Sequence, residues 1–166
     1  MSANLITNGD FESGRFTPWI AQALHGKADV VNHNRSYQAQ LHPGVDDGIL
    51  LYTQFEAPSG SFTLSFSASA PTAQYYLPPF DYVTHPFLVY FISGFDAGGQ
   101  LIQADFGLAP LQPTDTVFNY SGNMPADVKR VEVRFSGPSD PYKNKGSLYI
   151  DNVIYTPGQT LPQRWS

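Results

Sequence analysis

Apolar and polar residues alternate strictly in the segment SFTLSFSASA, at positions 61–70. Successive side chains of a β-strand point to opposite faces, so this pattern predicts a strand with one buried face and one polar face. The residues on the apolar face are Phe62, Leu64, Phe66 and Ala68. The segment VKRVEVRF, at 128–135, alternates in the same way and predicts a second strand of this kind.

Other short segments are also typical of strands, and no window has the apolar spacing of an amphipathic helix. The turn sequence DAGGQ follows one of them and predicts a hairpin. The further predicted strands are 4–7, 29–32, 37–41, 49–55, 86–95, 101–106, 116–120 and 147–155. Many short strands separated by turns predict an all-β fold, a jelly-roll β-sandwich of two antiparallel sheets.

The length of 166 residues fits one domain, which we predict over 1–156, with a loosely held tail over 157–166. The net charge is -5 and no run of basic residues occurs, so a nucleic-acid-binding surface is not expected. The absence of cysteine excludes disulfides and cysteine-based zinc sites. We expect no membrane span, because no stretch approaches the roughly 20 apolar residues that one requires.

The N-terminus, MSANLITNGDF, shows no signal-peptide pattern. We therefore expect a cytoplasmic protein or one released by a route that does not use a Sec signal. A secreted protein whose signal has been removed would have the same sequence.

Two acidic residues lie where an apolar environment is expected. Glu12 lies between the predicted core anchors Phe11 and Trp19, and Asp151 lies within the apolar strand YIDNVIY. A charge in such a place needs a partner. Because the first and last strands of a jelly roll are commonly neighbours, these two carboxylates can meet. Together with carbonyl oxygens they would suit calcium, and a metal-free polar clasp is equally compatible.

Three segments, in this order along the chain, are NLITNGDFESG with a following Trp, LLYTQFEAPSGSFTLSFSASA, and GSLYIDNVIY. Together they resemble carbohydrate-binding modules of the family 4/9 type, which are galactose-binding-domain-like jelly rolls. The resemblance implies a structural calcium ion held by the Gly9 carbonyl, Glu12 and Asp151. It also implies a middle ligand near 46–48, for which we take Asp47.

The same resemblance implies an oligosaccharide or polysaccharide as the partner, bound without catalysis in a lectin-like manner. A sugar site needs aromatic platforms and planar hydrogen-bonding side chains. One candidate is the long aromatic, proline-rich stretch at 70–87, which alternatively covers one end of the sandwich. Its candidate ligand residues are Tyr75, Tyr76, Phe80 and Tyr82.

A second candidate is the open face of one sheet, which alternatively is an ordinary solvated face. Its expected outward residues are Tyr52, Gln54, Tyr90, Gln103 and Arg134. A third is the loop 137–146, with Tyr142 near its tip, which alternatively is an ordinary exposed hairpin loop.

No known catalytic motif is present. The four histidines lack metal-ligand spacing, and the chain has neither a G-x-S-x-G elbow nor a P-loop. We therefore predict that the protein is not an enzyme, and we expect a bacterial origin for a module of this kind. The alternative is a protein–protein or assembly module, such as a phage, secretion or toxin-complex subunit, with a protein partner or a homo-oligomer.

Overall fold

A computed structural model describes residues 4–74 and 85–158 of the chain. Within these residues the protein forms ten β-strands and no helix. The strands are β1 Ile20–Gln22, β2 Lys27–His33, β3 Ser36–His42, β4 Ile49–Glu56, β5 Gly60–Ser69, β6 Phe87–Phe95, β7 Leu101–Pro110, β8 Thr116–Met124, β9 Arg130–Gly137 and β10 Leu148–Pro157. The described part of the chain accordingly has no helix long and apolar enough to cross a membrane.

The strands form two antiparallel sheets of five strands each. Sheet A has the order β1-β4-β9-β6-β7, and sheet B has the order β2-β3-β10-β5-β8. The last two described strands, β9 and β10, are therefore the central strands of the two sheets. This architecture confirms the predicted all-β jelly-roll sandwich.

The alternation in the sequence predicts the buried faces correctly. The four apolar residues of β5 named above are buried, and so are Val131, Val133 and Phe135 of β9. The DAGGQ turn is a hairpin in which the Asp96 amide donates to the Gln100 carbonyl at 3.0 Å. Strand β1 was not predicted, because its three residues are half-buried or exposed and show no apolar face.

The prediction of a strand at 4–7 is wrong, although the segment lies beside β10 as expected. The Leu5 amide donates to the Tyr155 carbonyl at 3.0 Å. The Asn4 side chain accepts from the Tyr155 amide at 2.9 Å and donates to the Val153 carbonyl at 3.1 Å. A side chain here replaces part of the backbone ladder, so the segment docks without becoming a strand.

Aromatic side chains from both sheets and from the N-terminal segment meet in the core. The ring centroids of Phe11 and Trp19 are 5.5 Å apart, and Trp19 stacks on Phe135 of β9 at 6.1 Å. Phe135 in turn meets Phe66 of β5 edge-on at 4.8 Å. The N-terminal motif therefore closes one part of the core between the sheets, and the prediction that Phe11 and Trp19 are core anchors is confirmed.

Candidate functional site

Four side chains from four neighbouring strands form one row across the outer face of sheet A. Tyr52 of β4 pairs in register with Arg134 of β9, and Arg134 pairs with Phe91 of β6. Phe91 pairs with Phe106 of β7. Residues paired across antiparallel strands lie on the same face, so this register places an arginine and three aromatic rings side by side.

The rings in this row are accessible to different degrees. The guanidinium carbon of Arg134 lies 4.7 Å from the centre of the Tyr52 ring, a cation–π contact. Phe91 and Phe106 have their centroids 6.2 Å apart, and Phe106 is 71% exposed. A strongly exposed phenylalanine on a sheet face provides an apolar platform that the fold does not need for its own core.

A polar row lies next to the aromatic one. Gln54 of β4 and Ser93 of β6 both pair in register with Glu132 of β9. The Gln54 amide donates to Glu132 Oε2 at 3.0 Å, and Arg134 Nε donates to Glu132 Oε1 at 3.1 Å. Arg130 Nη2 donates to Gln54 Oε1 at 3.2 Å. The face therefore combines apolar rings with planar amide and guanidinium groups.

The structure brings together three of the predicted residues, namely Tyr52, Gln54 and Arg134, on this face. It adds Phe91 and Phe106, which the sequence analysis missed. Because β6 is apolar on both faces, its alternation does not show which residues point outward. Phe106 lies at the end of the predicted strand 101–106, and the alternation there did not identify it as an outward residue.

The prediction that Tyr90 is on the outer face is wrong. Tyr90 is only 8% exposed and packs in the core against Phe66 and Tyr120, with ring centroids 5.3 and 6.2 Å away. Burial raises the pKa of its hydroxyl. The outward residue is its neighbour Phe91, so the assignment was displaced by one position and therefore selected the opposite face.

The prediction that Gln103 is on the outer face is also wrong. Its register partner on β6 is Gly94, which is buried. The Gln103 amide donates to the Asn123 carbonyl of β8 at 2.9 Å and to Asp105 Oδ2 at 3.3 Å. The side chain thus links the edges of the two sheets.

The remaining predicted ligand residues lie in the β9–β10 loop or outside the described part of the chain. Tyr142 is exposed in the loop between β9 and β10, and its role stays a prediction. The four aromatic residues of the 70–87 stretch lie outside the described residues. These are Tyr75, Tyr76, Phe80 and Tyr82.

The carboxylates of Glu12 and Asp151 meet, as the sequence analysis expects, through the hydroxyl of Ser36. Ser36 Oγ lies 3.0 Å from Glu12 Oε2 and 3.1 Å from Asp151 Oδ2. Glu12 Oε2 also accepts from the Tyr37 amide at 3.0 Å. One hydroxyl has one proton, so Ser36 can donate to only one of the two carboxylates at a time, and it carries no charge to balance theirs.

The electrostatics of this carboxylate pair favour an added positive charge. Asp151 is 5% exposed. Burial, with smaller contributions from the like charges of Glu12 and Asp10, raises the pKa of Asp151 to about 6, while hydrogen bonds from Asn152 and Ser36 oppose the rise. Asp151 is buried and Glu12 is exposed. An oxygen-only group with excess negative charge is the donor set that calcium prefers, so the residues fit this ion.

Gly9 has a packing role beside this pair. Its carbonyl accepts from the Val153 amide at 2.8 Å, and a Cβ at position 9 would overlap the Val153 carbonyl oxygen. The preceding residue, Asn8, takes the positive φ, at 57°. Gly9 is therefore needed for close approach to β10, and its carbonyl oxygen already has a hydrogen-bond donor.

The structure does not bring Asp47 to Glu12 and Asp151. Asp47 Oδ2 accepts from the amides of Leu24 and His25 at 2.8 and 3.1 Å, in the loops at one end of the sandwich. The expectation that Asp47 supplies the middle ligand of the same calcium site is therefore wrong.

No family model matches the sequence, and no curated protein matches it. Solved structures match the fold. Tailspike protein 4 of bacteriophage CBA120, in its enzymatically active domain, matches with a TM-score of 0.72 and 18% identity over 92% of this chain. The chain spans 21% of the length of that domain.

Two matches cover nearly the whole of both chains. TmCBM61, solved in complex with β-1,4-galactotriose, has a TM-score of 0.60 and 16% identity over 92% of this chain and 97% of its own. The CBM22-1 xylan-binding domain of Paenibacillus barcinonensis Xyn10C has a TM-score of 0.61 and 11% identity over 97% and 95%. The fold is thus shared with carbohydrate-binding modules, and assignment to the 4/9 type stays a prediction.

Proposed function

We propose that this chain is a non-catalytic carbohydrate-binding module whose ligand lies across the outer face of sheet A. The observation that carries the proposal is the row formed by Tyr52, Arg134, Phe91 and Phe106. The shared fold supports it, because modules of this architecture include one solved with β-1,4-galactotriose and one named as a xylan-binding domain.

The chemistry of the face suits a sugar chain. Aromatic rings stack on the apolar faces of pyranose rings, and the adjacent Gln54 and Arg130 side chains can bond to hydroxyl groups. Neighbouring strands are about 4.8 Å apart, so a row over four strands spans about 14 Å. This length accommodates a short oligosaccharide or an internal stretch of a polysaccharide.

The sharpest test removes the ring that the fold needs least. Phe106→Ala should weaken binding about tenfold or more, because loss of one stacking contact costs about 1.4 kcal/mol or more. Its unfolding free energy should change little, since the ring is largely exposed. Binding is measured by calorimetry against soluble β-glucans, xylan and β-1,4-galactan.

The matched control is Val117→Ala, a 63% exposed apolar residue on β8 of the other sheet. This variant should bind as the wild type does. Unchanged affinity in both Phe106→Ala and Tyr52→Ala would move the sugar site elsewhere on the molecule. A folded wild type that binds none of these polysaccharides would refute the proposal for these sugar classes.

The carboxylates of Glu12 and Asp151 are the proposed ligands of a structural calcium ion. Calcium at a hundredfold excess over its dissociation constant contributes about 2.7 kcal/mol to stability. For a domain of this size, this corresponds to a rise of about 5–10 °C in Tm over the protein in chelator. The measurement is thermal unfolding followed by circular dichroism.

Glu12→Gln should abolish the calcium-dependent rise in Tm, and Glu56→Gln, at an exposed glutamate of β4, should keep it. Equal Tm values for the wild type in calcium and in chelator would mean that Glu12, Ser36 and Asp151 form a metal-free clasp. The sugar-binding proposal would stand in either case, because the two sites share no residue.

A further inference from the structure

An imidazole and two carboxylates converge where two loops meet at one end of the sandwich. His25 belongs to the loop between β1 and β2, and Asp46 and Asp47 belong to the loop between β3 and β4. His25 Nδ1 lies 3.0 Å from Asp46 Oδ1 and 3.3 Å from Asp47 Oδ1. All three candidate ligand atoms lie within 4.8 Å of one another.

Asp47 is held in position by the backbone of the opposite loop. Its Oδ2 accepts from the amides of Leu24 and His25 at 2.8 and 3.1 Å. Its Oδ1 is a buried atom without a hydrogen-bond partner and lies beside His25 Nδ1. Nδ1 has at most one proton, and the closer Asp46 oxygen, at 3.0 Å, accepts it. The cluster therefore contains a buried acceptor oxygen that makes no hydrogen bond of good geometry.

The neighbouring glycine makes room for this oxygen. A Cβ at Gly44 would meet Asp47 Oδ1, and it would lie 3.1 Å from the Cβ of His25. Asp47 Oδ1 thus occupies space that a side chain at residue 44 would fill, and its position beside His25 depends on this glycine.

We propose that His25 Nδ1, Asp46 Oδ1 and Asp47 Oδ1 bind a divalent transition-metal ion of the zinc class. Ligand atoms about 2.0–2.2 Å from such an ion lie roughly 3.0–3.5 Å from one another, which matches the separations of His25 Nδ1 from the two carboxylate oxygens. One ion would replace the shared proton and would also satisfy the buried Asp47 oxygen. The imidazole favours a transition metal over calcium and separates this site from the Glu12–Asp151 pair.

The ion would also link two loops, and it would keep at least one coordination position free. It would join loop 23–26 to loop 43–48, the two loops that supply its ligands. Three protein ligands leave at least one position free, as in open zinc sites. A cavity of about 600 Å³, lined in part by His25, His42, Asp46 and Lys143, lies at this position. Water or a small oxygen ligand can complete the coordination from this cavity.

The test uses the full, untagged chain in calcium-containing buffer, so that the proposed calcium site is saturated. Zn²⁺ is titrated by calorimetry, and Co²⁺ is titrated by its visible absorption. We expect one equivalent of either ion to bind. His25→Gln and Asp46→Asn should each weaken binding at least tenfold, and Co²⁺ should give a spectrum with nitrogen ligation that His25→Gln loses.

The matched control is His42→Gln, because His42 lines the same cavity and its Nδ1 is paired with Ser147 Oγ at 3.1 Å. This variant and Glu12→Gln should bind Zn²⁺ as the wild type does. Absence of Zn²⁺ and Co²⁺ binding to the folded wild type would overturn the proposal. Equal losses of affinity in His25→Gln and His42→Gln would also overturn it, because they would indicate nonspecific binding by surface histidines.

Discussion

The carboxylate of Glu132 organises the side chains of the sheet A face. Its two oxygens accept hydrogen bonds from Gln54 and Arg134, and Arg134 lies over the Tyr52 ring. Glu132 is only 8% exposed, although it lies on the outer face. A buried carboxylate with two donors restricts their orientations, so the planar groups of the face are fixed before a ligand arrives.

The raised pKa of Asp151 predicts a specific pH dependence of stability. Its folded-state pKa is about 6, and its ordinary value is 3.8, so the folded protein binds more protons between these two values. The free energy of unfolding should therefore fall as pH rises through this window, by about 3 kcal/mol in total from this group. In chelator, lowering the pH from 7 to 5 should stabilise the wild type.

The comparison that isolates this effect is with Asp151→Asn, which has no titrating group at this position. Chemical unfolding at pH 5, 6 and 7 in chelator should show the stabilisation at low pH for the wild type and a smaller one for the variant. Parallel pH profiles for the two proteins would contradict a raised pKa at this residue.

The strands whose faces were predicted correctly share one property. In β5 and β9, one face is apolar and the other is polar or charged. The sequence therefore shows toward which face each side chain points. Strand β6 is apolar on both faces, and Tyr90 and Phe91 could not be distinguished. The part of the candidate site on β4 and β9 was therefore predictable, and the part on β6 and β7 was not.

The docking of the N-terminal segment on β10 depends on Gly9. Gly9→Ala should destabilise the protein by about 1–3 kcal/mol, because the added Cβ would displace the segment from the Val153 carbonyl. The control is Gly98→Ala in the β6–β7 turn, where a Cβ would meet only Asp96 Oδ1, at 3.5 Å. Urea unfolding would measure both changes, and a neutral Gly9→Ala variant would show that the segment can shift without cost.

At the scale of the whole molecule, the alternation of apolar and polar residues predicts the sandwich. The positions of the candidate ligand residues depend also on loop geometry and on strand faces that this alternation does not specify. Apolar alternation over many short segments leaves few architectures other than two packed sheets. The meeting of Glu12 with Asp151 was also predictable, because it follows from the neighbouring ends of a jelly roll. The position of Asp47 depends on loop geometry, for which the sequence contains no periodic signal.

The central place of β9 and β10 has a consequence for the order in which the protein folds. In the folded sheets β9 lies between β4 and β6, and β10 lies between β3 and β5. During synthesis β3, β4, β5 and β6 therefore emerge before the central strands with which they pair. Until β9 and β10 arrive, these four strands each have an edge without its native partner, and such edges favour association with other chains. We therefore expect folding to be slow and the sandwich to be completed only after β10 has left the ribosome.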